Sequence, residues 1–364
     1  LSQMLYYLYT FNTRLIAKHM DKLSKYIKYN QNKKVLIWGL GLQGGGESAV
    51  RFFARFTNKI RITDLKSKDQ LKPTLDKLSD LDLELALGEH KESDFLWADI
   101  VLVNQDIFNK APNSPFLDLI KENNKQLVTQ TGLFFKLCAC PIIGVTGTRG
   151  KTTTTIAISK LLENAGKKNI LGGNISNSQN LDSIQKSSNS DFAILELSNY
   201  QLHGLNFEQL SPHISILTSI SPDHLISYDN QSDYLEDKKV ICKYQNQFDH
   251  FIIKDSIESK DQFISATKAQ IHQFNADTIP SDWYPKLRGQ HNRENLSAVY
   301  ILAQILKISQ DIVKQTITNI TSVKYRLETI AIHNGITFVN DTTASTPTAA
   351  SIALRSFPAG KIIW

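Results

Sequence analysis

Short apolar runs alternate with helix-period stretches along most of this chain. Val35–Trp38 is uninterruptedly apolar and enters a glycine cluster of Gly39, Gly41, Gly44, Gly45 and Gly46. Apolar positions at helical spacing follow (Val50, Phe53, Ala54, Phe56), then a β-rich run, Ile60–Thr63, that ends on Asp64. Leu83–Ala86, Ile100–Val103 and Leu127–Val128 continue the series, with a helical stretch at Pro115–Asn123. The rhythm restarts at Pro141–Ile143 and runs through Asn169–Leu171, Phe192–Leu197 and Ile214–Thr218, while the polar stretch Ser176–Ser190 predicts a loop. Fully apolar strands separated by helices predict parallel sheets covered on both faces. YLEDKKVICKYQ, from Tyr234, reads as a helix, as does GQHNRENLSAVYILAQIL, whose apolar face is Leu296, Val299, Tyr300, Ala303 and Leu306. Thr329–Ile332 and Ile336–Val339 flank His333-Asn334-Gly335, a hairpin signature, and Asp341 is expected to open a helical segment over Pro347–Leu354.

A length of 364 residues suggests two or three domains with ample core. The expected division is an extension over 1–32, a Rossmann-like α/β domain over 33–137, a central P-loop α/β domain over 138–322, and the beginning of a third Rossmann-like α/β unit over 323–364. The opening stretch lacks a clean signal-peptide core, and the natural start is expected at Met4 or Met20 unless the chain is a fragment. Gly360–Trp364 reads as a strand just beginning, so the third unit is expected to be incomplete. The net charge of +6 comes without a basic block interleaved with aromatics, so a polyanionic nucleotide ligand together with compositional bias explains it as well as nucleic acid does. No run approaches the ~18–20 apolar residues a membrane span needs. Cys138, Cys140 and Cys242 cannot form a disulfide framework and fit a reducing cytoplasm as buried thiols.

Candidate chemistry concentrates in GVTGTRGKTTTT, Gly144–Thr155, between an apolar strand and a helix that Gly166 closes. Strand, glycine-rich turn and helix N-terminus together make an anion site, because unpaired N–H groups and the helix dipole point at the ligand. Lys151 adds a charge for β/γ-phosphates and Thr152 a hydroxyl for Mg²⁺. The usual count G-x-x-x-x-G-K-[ST] would require glycine where Val145 stands, so the loop is off pattern. Glu196 interrupts an apolar strand near its C-terminal end, where a buried carboxylate needs a partner or a metal. His224 stands just past the next strand. Tyr234 and Lys238 lie one turn apart on one helix face, although spacing alone does not separate Lys238 from Lys239. Asn292 and Asn295 at a helix start suit either caps or the edge of a purine. The first glycine cluster, with Asp64 about 20 positions on, opens a dinucleotide-type βαβ unit.

In order, GLGLQGGG…TDLK, GVTGTRGKTTTT, GGNIS, LELSNYQL, SPDH, YLEDK, GQHNRENLSA, YRLE and VNDTTAS resemble the Mur ligase family, most closely its D-glutamate-adding members. The off-pattern phosphate loop is itself a family feature. The resemblance implies a cytoplasmic, monomeric, ATP-dependent ligase that joins D-glutamate to UDP-N-acetylmuramoyl-L-alanine through an acyl phosphate. It implies ATP contacts from Gly147, Thr148, Arg149, Gly150, Lys151, Thr152 and Thr153, with Asn292 and Asn295 on the adenine side, Arg326 as the interdomain arginine and Asp341 at the ribose. Two Mg²⁺ sites are implied, Thr152 and Glu196 serving the first and His224 the second, with a carbamate on Lys238 reaching the second. Leu42, Gln43, Asp64 and Leu65 fall where the uridine contacts would be, and Asn174 matches a contact to the UDP-sugar. Thr343 stands where many relatives carry lysine.

Overall fold

The structure is a computed structural model that describes residues 22–105, 107, 115–175, 181–221, 231–321, 323–358 and 360–363. Two parallel sheets dominate it. The first has the order β3-β2-β1-β4-β5, built from β1 (Val35–Trp38), β2 (Ile60–Asp64), β3 (Glu84–Leu87), β4 (Ile100–Val103) and β5 (Gln126–Val128). Both β1 and β4 are buried along their whole length, as the unbroken apolar runs require. Strand β3 starts one residue later than the hydrophobic pattern suggests, because Leu87 pairs with Asp64 at the strand ends.

The second sheet has the order β11-β10-β9-β6-β8-β7, from β6 (Ile142–Thr146), β7 (Asn169–Gly173), β8 (Phe192–Glu196), β9 (Ile214–Leu217), β10 (His250–Lys254) and β11 (Gln270–Phe274). The chain leaves β6 for β7 and β8 on one side, then crosses to β9–β11 on the other. The carboxyl end of β6 is therefore a topological switch point, where open α/β sheets hold ligands. The first sheet switches likewise between β1 and β4.

One apolar cluster runs continuously from Val35, Ile37 and Phe53 of the first unit to Leu195, Leu217 and Phe251 of the second. Helices Lys151–Asn164, Gln290–Ile305 and Gln310–Asn319 cover the opposite face of the second sheet. The helical residues 22–29 pack onto the first unit through Leu23, Tyr26 and Ile27, the Tyr26 ring lying 6.2 Å from that of Phe56. Helix Gly45–Ala54 ends before Phe56, whose ring is nonetheless buried against Phe52 and Phe53.

Of the stretch expected to be a loop, residues 176–180 lie outside the described residues and 181–190 depart from their polar composition. Residues 181–189 form two 3₁₀ turns that bury Leu181 and Ile184, and Ser187 Oγ accepts from the Ala139 N–H at 2.9 Å. Two well-placed apolar residues suffice to anchor a segment whose average is hydrophilic.

Strands β12 (Glu328–His333) and β13 (Ile336–Asn340) form the expected antiparallel hairpin, with positive φ at Asn334 and Gly335 as a two-residue turn requires. Helix Pro347–Leu354 is capped by Thr346 rather than opened by Asp341; the Asp341 carboxylate accepts the Leu327 N–H instead. Residues 361–363 are irregular, not strand.

Candidate functional site

Beyond β6 the chain turns through Gly147–Gly150 into helix Lys151–Asn164. Both glycines are obligatory. Gly147 (φ 148°) and Gly150 (φ 84°) hold positive φ, and a Cβ on either would overlap Thr218 Oγ1 or Asn295 Oδ1. The loop is pinned to the tip of β9. Thr148 N donates to Ser219 O and Arg149 N to Ser219 Oγ, both at 2.9 Å, while Thr218 Oγ1 donates to Arg149 O at 2.5 Å. Lys151 folds back so that Nζ meets the carbonyls of Gly147 (2.8 Å) and Thr148 (3.2 Å). Burial lowers the Lys151 pKa, partly opposed by Glu196. A rigid loop carrying N–H donors and an ammonium at a helix N-terminus suits an anion.

Glu196, only 3% exposed, ends β8 inside the sheet. Thr152 Oγ1 donates to its Oε2 at 2.7 Å, and Asn174 Nδ2 approaches Oε1 at 3.4 Å. A hydroxyl and a carboxylate thus meet at the cavity wall, a hard-oxygen pair suited to Mg²⁺. Among the described residues no cluster of three His, Cys, Asp or Glu is placed to hold a metal. His224 lies outside the described residues.

The structure separates the two adjacent lysines. Lys239 pairs with Glu236 at 2.7 Å, whereas Lys238 is 1% exposed and its Nζ donates to Thr146 Oγ1 at 2.8 Å. One turn earlier, the Tyr234 hydroxyl meets Thr148 Oγ1 at 2.7 Å. The shared face read from the sequence therefore docks on alternate threonines of the glycine-rich loop. Burial, and secondarily Lys151, push the Lys238 pKa well below its ordinary value.

A cavity of about 710 Å³ is lined by the loop from Thr148 to Thr153 and by Glu196, Asn174, Asn292, Asn295, Arg326 and Asp341. Gly289, not an asparagine, is the N-cap of helix Gln290–Ile305, so the capping alternative fails. Asn292 Nδ2 donates to Arg288 O at 2.8 Å. Arg326 reaches back to Thr152 Oγ1 at 3.3 Å. Thr343 lines the cavity too, its hydroxyl donating to Tyr325 O at 3.0 Å. Two features escaped the sequence reading: the Lys254–Glu294 ion pair (2.8 Å) on the wall, and Thr346, which accepts from Arg149 at 2.7 Å. Lys254 carried a usable signal, since it ends an apolar strand as Glu196 does.

A second cavity of about 770 Å³ opens at the switch point of the first sheet, lined by Leu42, Gln43, Asn104, Lys66, Gln130 and Tyr200 among others. Asn174 lines both cavities. Asp64 is buried beneath this wall and braces the loop by accepting from Gly41 N (3.1 Å) and Lys66 N (2.9 Å), while Leu65 is exposed and off the wall. The three cysteines are free and buried. No helix among the described residues is long and apolar enough to cross a membrane.

Residues 145–312 match the family model described as the Mur ligase middle domain. The chain is 32% identical over 356 residues to the UDP-N-acetylmuramoylalanine–D-glutamate ligase of Roseiflexus sp. (strain RS-1), covering 89% of this chain and 76% of that protein. It is 29% identical to the ligase of the same name from Acetivibrio thermocellus, covering 92% and 75%. Among solved structures, UDP-N-acetylmuramate-alanine ligase MurC from Thermotoga maritima is similar with a TM-score of 0.53 at 15% identity, over 89% of this chain and 77% of that one. MurF from the same organism, solved with ADP, gives 0.52 at 16%, over 91% and 74%. These likenesses establish a shared α/β fold.

Proposed function

The chain belongs to the Mur ligase family, and we propose that it adds D-glutamate to UDP-N-acetylmuramoyl-L-alanine with ATP in peptidoglycan precursor synthesis. One observation carries this reading at the site: the cavity at the glycine-rich loop and the cavity at the first sheet share Asn174. A nucleoside triphosphate in one and a UDP-sugar in the other would meet beside Glu196 and Lys151.

The chemistry requires that meeting. A carboxylate is a poor electrophile. Transfer of the γ-phosphoryl group to the L-alanine carboxylate gives an acyl phosphate and ADP; the D-glutamate amine then attacks the carbonyl carbon, and phosphate leaves as the amide forms and the amine loses a proton. Phosphoryl transfer depends mainly on positioning and charge neutralisation. In the proposed assignment Gly147–Thr153 cradle the phosphates, Asn292 and Asn295 face adenine, and Arg326 and Asp341 approach from the C-terminal unit. Leu42, Gln43 and Asn174 line the UDP-sugar site, with Asp64 shaping its loop.

Thr152 and Glu196 fit a Mg²⁺ ion, which takes one or two protein oxygens and completes its shell with phosphate and water. Bound there, it would neutralise charge on the β/γ-phosphates. A second Mg²⁺ is proposed at His224. Lys238 fits carbamylation, which needs a neutral, buried amine. The proposed domains are 33–137 for the UDP-sugar, 138–322 for ATP and 323–364 as the beginning of the third, in a cytoplasmic monomer.

An ADP-release assay with UDP-N-acetylmuramoyl-L-alanine and a panel of amino acids tests the reading. Response to D-glutamate is expected. Response only to another amino acid would reassign the chain within the family, and nucleotide binding without any turnover would make it a binding protein.

A further inference from the structure

We propose that Arg149 is a positioning residue whose guanidinium is shared between Thr346 and the nucleotide phosphates, coupling nucleotide occupancy to the seating of the C-terminal segment. The proposal rests on reading the 710 Å³ cavity as the ATP site.

The base of Arg149 is fixed. Its N–H donates to Ser219 Oγ (2.9 Å), and its carbonyl accepts from Thr218 Oγ1 (2.5 Å) and Ser219 Oγ (3.1 Å). From that base Nη2 reaches Thr346 Oγ1 at 2.7 Å, across 197 positions of sequence. The Thr346 hydroxyl also accepts from Ala349 N at 3.3 Å as the cap of helix Pro347–Leu354. The bond therefore seats the first turn of a helix, not merely a side chain. Arg326 makes the reverse crossing, from the C-terminal unit to Thr152 Oγ1. Arg149, Thr346, Arg326 and Thr152 all line the same cavity.

Thr346 offers a neutral oxygen. A guanidinium binds an anionic phosphate oxygen more strongly, often with two parallel bonds. A triphosphate in the glycine-rich loop therefore competes with Thr346 for a group anchored in that same loop. Seating of the segment and filling of the loop draw on one arginine.

The competition predicts an effect opposite to ordinary damage. Thr346→Val should bind ATP more tightly by about ten-fold or more, from the worth of a hydrogen bond to a charged group, while turning over more slowly. Thr346→Ser, which keeps the hydroxyl, should restore both values. Arg149→Gln should weaken ATP binding, and adding Thr346→Val to it should change the affinity no further, as coupled residues behave in a double-mutant cycle. Titration calorimetry of the full chain with ATP measures all four proteins. If Thr346→Val does not fold, Thr346→Gly, tolerated at an N-cap, gives the same reading. Unchanged or weaker ATP binding in a folded Thr346→Val or Thr346→Gly protein, or an equal shift in the Arg149→Gln background, overturns the proposal. Absence of ATP binding by the unsubstituted chain would instead remove the ATP site itself.

Discussion

Lys238, on a helix, donates from Nζ to the hydroxyl of Thr146 at 2.8 Å, in the last residue of β6. That hydroxyl in turn donates to Leu197 O at 2.7 Å, so it can only accept from the lysine. An ammonium held there would be buried, with Thr146 its neutral acceptor among the described residues and Lys151 nearby. The pKa falls through burial first and Lys151 second, partly opposed by Asp237 and Glu196. Lys238→Ala should lower the ligation rate by about 100-fold or more, the scale of losing a placed electrostatic group. Formate or acetate added to the variant should restore part of the rate in an ADP-release assay. Full activity without rescue would take Lys238 out of the mechanism.

Glu196→Gln keeps the shape of the group that meets Thr152 at 2.7 Å but removes its charge. The Mg²⁺ concentration giving half-maximal rate should rise by about ten-fold or more, a magnitude typical of disturbed metal sites. Binding of ATP measured in EDTA should change far less, because Lys151 and the loop N–H groups remain. An unaltered Mg²⁺ requirement would count against Glu196 as a ligand.

The first sheet and strands β6 to β9 of the second were legible in the sequence because buried parallel strands tend to be continuously apolar, as in Val35–Trp38 and Ile100–Val103. Strands β10 and β11 were not read, and β11 (Gln270–Phe274) is mostly polar and largely exposed. The glycine-rich loop, Glu196 and the Tyr234–Lys238 face were legible because each couples a chemical group to a strand end or a helix period. Contacts between distant segments carry no such period. Nothing local tells Arg149 to meet Thr346, or that Asp64 turns inward on Gly41 while Leu65 points away. Likewise the 3₁₀ turns over 181–189 depend on Leu181 and Ile184 finding a core that the segment itself does not announce.

The junction between the two sheets gives a stability test. Glu208, from the central unit, pairs with Lys136 in the last turn of helix Gln130–Leu137 and accepts from Thr129 N (3.2 Å) and Thr129 Oγ1 (3.1 Å) at the N-cap of that helix. A carboxylate there also complements the helix dipole. A Cβ on Gly132 would overlap Glu208 Oε1, and the buried glutamate cannot withdraw without breaking those bonds. Gly132→Ala should therefore destabilise the chain by about 1–3 kcal/mol, the usual range for overpacking. Urea denaturation followed by circular dichroism measures it, and an unchanged midpoint would show the clamp to be slack.

His250 and His272, on the neighbouring strands β10 and β11, place Nδ1 and Nε2 3.1 Å apart, a contact that requires one donor and one acceptor. Burial lowers both pKa values from 6.5; His250 lowers that of His272 further, while Asp249 partly offsets the effect at His250. In the unfolded chain both rings take up protons near pH 6.5, whereas the folded pair resists until lower pH. The unfolded state then binds more protons, so the pair's contribution is complete above pH 6.5 and is lost as pH falls through the folded pKa values. The urea midpoint should decline between about pH 7 and pH 5, and His272→Gln should flatten that decline because it removes one ring and the repulsion between two. An identical pH slope in the variant would assign the acid sensitivity to other groups.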